Sequence, residues 1–291
     1  MSASLIKFIR QSCQPIEPQP TGVEPNLNRL SGIRAVLFDI YGTLLISDSG
    51  DVGGRTAETK QTAWQKVAAT HDITTSASPS HVIDVFEATI RETHENSRNT
   101  GIEHPEVDIV EIWRSTIERV NAEAPYAIEW QRFALEFEVL VNPVWPMPDL
   151  ISTLETIRTI GPVLGIVSNA QFFTPLLFPG LVNHSLAELG FHDELSFFSY
   201  AHGHAKPGPY LYELAKEALK KRSIKTSEVL YVGNDMLNDI AAAETVGFQT
   251  ALFAGDQRSL RWRHEDRRVQ GITPKTVVTQ LSQLIDILRD D

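Results

Sequence analysis

One cysteine, Cys13, stands alone among 291 residues, and lysine plus arginine number 26 against 37 aspartates and glutamates. Each scarcity excludes something. A lone cysteine forms no intrachain disulfide, so stability must come from a packed core. The formal net charge of −11, with no strongly basic block, argues against nucleic acid as a partner. No uninterrupted apolar run is long enough to span a bilayer, and the first residues lack the apolar stretch of a secretory signal. A cytoplasmic protein without membrane attachment is expected. Hydrophobic residues make up 42% of the chain, enough for one large domain or a core carrying an insertion.

The most informative stretch is AVLFDIYGTLL, Ala35 to Leu45. Ala35 to Phe38 has no polar face, as a central parallel strand buried on both sides requires. Asp39 then leaves the strand at its C-terminal end, where open α/β sheets bind their ligands, and Gly42 and Thr43 turn the chain away. A strand stopping on Asp because Asp favours turns is the plainer reading of one such carboxylate taken alone.

Around this strand the chain divides into three. Residues 1–31, with Pro15, Pro18, Pro20 and Pro25, read as a loosely ordered or packed-on arm in which SLIKFIR makes a short helix. Residues 46–143 show helical apolar spacing and read as an inserted cap with helices over Glu58–Thr70, Pro79–Ser97, Pro105–Asn121 and Ala127–Val141. Trp113 falls on the apolar stripe of the third and reads as packing. Residues 32–45 and 144–291 make the core. Its strands are expected at Pro162–Val167, Leu195–Tyr200, Val229–Val232 and Thr250–Ala254, after Ala35–Phe38. Helices are expected over Pro148–Ile160, Pro209–Arg222, from Asp235 onward, and over Thr279–Leu288. Strand and helix in alternation predict an α/β fold, a Rossmann-like doubly wound parallel sheet with an inserted helical cap.

Four strand ends then deliver polar residues to one edge: Asp39; Ser168 and Asn169; Lys206; Asp235 and Asp239. Each alone is ordinary turn chemistry. Together they resemble the haloacid dehalogenase-like hydrolase superfamily, whose four motifs appear as DIYGT, VSN, the SYAHGHAKP loop and VGNDMLND, spanning Arg34 to about Ala254. The resemblance implies that Asp39 is a nucleophile forming an aspartyl intermediate. It implies that Ser168, Asn169 and Thr43 bind the transferring group, and that Lys206 neutralises its charge. Mg²⁺ would lie between Asp39, the Tyr41 carbonyl and Asp235, with Asp239 orienting the lysine or a bound water. The implied substrate is a small anionic, phosphorylated metabolite.

Tyr41 departs from the phosphatase pattern, which has a second aspartate there as general acid and base. Such help is worth roughly 10²–10⁴-fold. Tyrosine at this place, and Tyr212 six residues after Lys206, resemble the metal-independent 2-haloacid dehalogenases, whose halide leaves without a proton, although Tyr212 reads at least as well as a core-facing aromatic and GNDMLND keeps the acids that those enzymes replace. The cap arginine that those enzymes set near the leaving halide has no assigned place here; Arg55, Arg91 and Arg98 are candidates only by lying in the insertion, where surface arginines are common. A catalytically idle binding protein is a third reading. His202 and His204 flank Gly203 but have no matching third ligand, and His94 and His104 read as surface residues.

Overall fold

The computed structural model describes residues 2–49 and 56–289. Arg55 lies outside the described residues. The chain begins with helix α1 (Ser2–Ser12), then strands β1 (Ala35–Phe38) and β2 (Leu45–Ser47). Four helices follow: α2 (Ala57–Thr70), α3 (Pro79–Asn99), α4 (Ile109–Arg119) and α5 (Trp130–Val141). The chain returns through β3 (Val144–Pro146), α6 (Leu150–Ile160), β4 (Val163–Ser168), α7 (Thr174–Leu181) and β5 (Phe191–Phe198). A short α8 (Ser199–His202), α9 (Tyr210–Lys221), β6 (Val229–Gly233), α10 (Ala242–Thr245), β7 (Gln249–Phe253), β8 (Thr276–Val278) and α11 (Gln283–Leu288) complete it.

Six strands form one parallel sheet in the order β5, β4, β1, β6, β7, β8. Strand β1 is central, and every residue of its AVLF run is buried, because helices cover both faces. The chain winds outward from β1 to β4 and β5 on one side, then crosses to β6, β7 and β8 on the other. The crevice of a doubly wound sheet opens where that winding reverses, at the C-terminal end of β1. Asp39 is the next residue, and its N–H still bonds the Val232 carbonyl at 2.9 Å.

Helices α2 to α5 gather around their own apolar cluster. Trp113 is fully buried there, 4.2 Å from the Phe86 ring and 4.7 Å from Phe137, with Trp64 and Phe133 completing the box. Local chemistry starts these helices: the Thr56, Ser78 and Asp108 side chains accept N–H bonds from the first turns of α2, α3 and α4. The cluster joins the sheet through the antiparallel pair β2 and β3, where Ser47 and Ser49 both donate to Asn142 Oδ1 at 2.8 and 2.7 Å.

Several expected boundaries move. The third insertion helix starts at Ile109 rather than Pro105, because Pro105 and Glu106 run as an extended segment against the loop before Lys206. Pro105 bridges to His204, and Glu106 N–H bonds the Gly203 carbonyl. The fourth starts at Trp130, and the third core strand covers Phe191–Phe198, earlier than expected. Strand β8 and helix α7 come in addition. The amino-terminal arm is packed on rather than loose: Leu5 and Ile9 are buried, and Asn26 pairs with Val277 of β8. No helix among the described residues is long and apolar enough to cross a membrane.

Candidate active site

At the C-terminal edge of the sheet, Asp39 Oδ1 accepts two hydrogen bonds, from Ser168 Oγ at the end of β4 and from Lys206 Nζ, each at 2.8 Å. The ammonium has three donors. Its other two reach Asp239 Oδ1 at 2.5 Å and the Tyr231 hydroxyl at 3.1 Å. Asp239 Oδ2 accepts the Asp235 N–H at 2.9 Å, and Tyr231 donates to the Val167 carbonyl at 2.7 Å. Side chains from four strand ends therefore meet in one buried network.

Two glycines make the approach possible. Gly42 has φ +81°, and a Cβ there would lie 2.5 Å from Ser259 Cβ and 2.7 Å from Asn234 Nδ2. A Cβ on Gly233 would lie 2.4 Å from the Asp239 carboxylate, so that carboxylate reaches Lys206 only across a glycine.

Burial alone would lower the lysine's pKa. Asp239 and Asp39 outweigh it and push Lys206 up to about 12, so the ammonium is charged. Burial also lifts the Asp239 carboxyl above its ordinary range; Lys206 opposes the lift and Asp39 adds to it. The arrangement suits a nucleophilic carboxylate: Oδ1 is fixed by a hydroxyl and an ammonium, and the partner cation is set by a second acid behind it.

Other expected residues are placed differently. Asn169 fastens the lysine loop, accepting the Lys206 N–H at 2.7 Å and donating to its carbonyl at 3.2 Å. Thr43 is fully buried and donates to Asn234 Oδ1 at 3.0 Å. Tyr212 is also fully buried, its hydroxyl on the Asn238 carbonyl at 2.8 Å and its ring edge-on to Tyr231, so it packs rather than meeting substrate. The Tyr41 hydroxyl pairs with Thr174 Oγ1 at 2.8 Å, and burial, then Glu138, raise its pKa above the ordinary value.

At the expected magnesium seat, the Asp235 side chain is engaged by groups of the protein. Asp235 Oδ1 accepts the N–H groups of Leu237 and Asn238 at 2.8 and 3.2 Å, capping the turn that follows β6. Its Oδ2 takes Asn238 Nδ2 at 3.1 Å and Arg263 Nη2 at 2.5 Å. Mg²⁺ needs hard oxygens, usually one or two carboxylates, free to face it. Here Asp235 already faces a cation of the protein. The donor set does not fit the expected seat.

Sequence reasoning missed Tyr231 and Asn234. The signal for Tyr231 was a hydroxyl inside a fully buried strand, VLYVG, where it must find a partner. Asn234, the first residue beyond that strand, was passed over for the acid beside it.

Fold and site together put a buried carboxylate, held by a hydroxyl and an ammonium, at the switch point of a doubly wound sheet. The family model for haloacid dehalogenase-like hydrolases matches residues 33–247, and the chain belongs to that family. Among curated relatives, a ribulose-1,5-bisphosphate 5-phosphatase from Halopiger xanaduensis is 28% identical over 49% of this chain and 56% of its own. A glyceraldehyde 3-phosphate phosphatase from Methanopyrus kandleri is 26% identical over 50% and 57%. The match thus spans little more than half the length of these relatives. Of solved structures, a 2-haloacid dehalogenase from Pseudomonas syringae pv. Tomato has TM-score 0.55 at 22% identity, covering 88% of this chain and 97% of that one. A HAD phosphatase from Thermococcus onnurineus has TM-score 0.51 at 19% identity, covering 88% and 97%. At these identities the structures share the fold.

Proposed function

We infer that this chain is a hydrolase in which Asp39 Oδ2 attacks the phosphorus of a small phosphorylated metabolite. The phosphorus to leaving-oxygen bond breaks, an aspartyl phosphate forms, and water then attacks the phosphorus to release phosphate and restore Asp39. The observation that carries this reading is the Ser168 and Lys206 grip on Oδ1, which orients the other oxygen and offsets its repulsion from an anionic substrate. The curated relatives, both named as sugar-phosphate or triose-phosphate phosphatases, support the substrate class. Residues 46–143 serve as a cap that limits access to Asp39 and sets specificity. A cytoplasmic location suits a free, buried Cys13.

No step of this reading runs through a divalent cation. The chain also has no carboxyl at position 41 to protonate the departing oxygen, so turnover is fastest on esters whose leaving group is stable as an anion. A second reading, displacement of halide from a small 2-halo acid, is favoured by the same tyrosine, since halide needs no proton. Phosphate release from an activated aryl phosphate and halide release from 2-chloropropionate separate the two. Phosphatase activity lost in Asp39→Asn is the expected result, and Tyr41→Asp is expected to raise it by up to roughly 10²-fold. Halide release without phosphate release would establish the second reading, and inactivity toward both, in folded protein, a catalytically idle one.

A further inference from the structure

A divalent cation beside β1 would require anionic oxygens that the protein has not already answered. Asp239 gives one oxygen to Lys206 and the other to the Asp235 N–H. Asp235 gives both to its own helical turn, to Asn238 and to Arg263. The residue that leaves β6 beside the turn after Asp39 is Asn234, a neutral amide; its Oδ1 accepts from Thr43 and its Nδ2 donates to the Ser259 carbonyl at 2.7 Å. Of these side chains only Asp39 Oδ2 remains as an anionic oxygen.

The arginine is placed by backbone pairing. The Arg261 N–H bonds the Asn234 carbonyl at 3.0 Å and the Met236 N–H bonds the Arg261 carbonyl at 2.9 Å, so the segment leading to Arg263 runs alongside residues 234–236. From there the guanidinium reaches both Asp235 oxygens, Nε at 3.2 Å from each and Nη2 at 2.5 Å from Oδ2. A planar fork on a carboxylate is the geometry in which arginine binds most firmly.

We propose that Asp39 in this chain works without a divalent cation: Lys206 is the cation that faces the nucleophile, and the Arg263 guanidinium neutralises Asp235 in place of a metal. The site then carries two acids, Asp39 and Asp239, against one ammonium, while Asp235 and Arg263 cancel. This goes beyond the proposed activity, and it is read by metal binding, whatever the substrate.

The test is titration of chelator-treated, full-length protein with Mg²⁺ by calorimetry and with Mn²⁺ by electron paramagnetic resonance. The wild type and Asp39→Asn are expected to give the same response, because no ion is bound through Asp39. One-site binding in the wild type that disappears in Asp39→Asn would overturn the proposal. Asn234→Asp, checked for folding by circular dichroism, is expected to gain Mn²⁺ binding that Asp39→Asn abolishes; a folded Asn234→Asp variant without binding would overturn the role given to Asn234. Should that variant not fold, Arg263→Gln removes the one cation paired with Asp235 among these contacts, and Mg²⁺ is expected to raise its melting temperature but not that of the wild type. An equal rise in both would count against Arg263 as the metal's substitute.

Discussion

The helical insertion and the sheet edge solve opposite problems. In the insertion, Trp113 and its aromatic neighbours bury apolar surface, and the Trp113 indole nitrogen is buried without a hydrogen-bond partner among the described residues. At the sheet edge, Asp39, Lys206, Asp239 and Tyr231 are buried as polar groups, each answered by another. Packing tolerates approximate shapes, whereas a buried ion network fails when one member is removed. Substitutions in the helical cluster are therefore expected to be tolerated better than substitutions at the edge.

Lys206→Met breaks this contrast most severely. It leaves two buried carboxylates facing each other, and we expect a loss of about 3–5 kcal/mol in urea unfolding together with loss of turnover. Trp113→Ala, on the apolar side, should cost a comparable ~3–5 kcal/mol by leaving a cavity. It should nonetheless spare the Asp39 network, so that whatever folded protein remains still turns over an activated substrate too small to need the cap. Tyr231→Phe removes a hydroxyl that serves both Lys206 and the Val167 carbonyl, for about 1–3 kcal/mol. Asp108→Ala removes the cap of α4 and should cost about 1 kcal/mol, with activity unchanged.

The same contrast has a pH signature. Lys206 is raised in the folded state to about 12, so its contribution is fully present below its unfolded value of 10.5 and is lost as pH rises through about 12. Tyr212 and Tyr231, also raised by burial, act in the same direction. Urea unfolding of the wild type from pH 10 upward should show falling stability, and Lys206→Met should show a shallower fall.

Much of the sheet edge was legible because strand ends are written locally: an apolar run followed by a polar residue fixes both element and exit. Asp39 and Ser168 follow that rule, whereas Lys206 and Asp239 lie further beyond their strands and were picked out by the resemblance of the four motifs. Side-chain direction was not legible. Thr43 sits in the right neighbourhood and turns inward, and Asn169 turns to the lysine backbone, because packing from distant segments decides those rotamers. Asp235 could be read as a helix cap or a metal ligand, and its pairing with Arg263, 28 residues further on, was not legible in the local pattern. Helix α7 carries Pro175, Pro179 and Gly180, residues that disfavour a helix interior. It forms because α1 lies over it, with Ile9 so close that a Cβ on Gly180 would meet it at 2.5 Å. Strand β8 is three residues long and depends on pairing with β7 and with Asn26, neither of which is near in sequence.

The account rests on covalent chemistry at one oxygen of Asp39, and rapid-quench mass spectrometry during turnover of an activated phosphate ester reads that directly. A phosphoryl adduct on the peptide containing Asp39, absent from Asp39→Asn, is the predicted result. Turnover at the wild-type rate by a folded Asp39→Asn variant, with no adduct on that peptide, would contradict it.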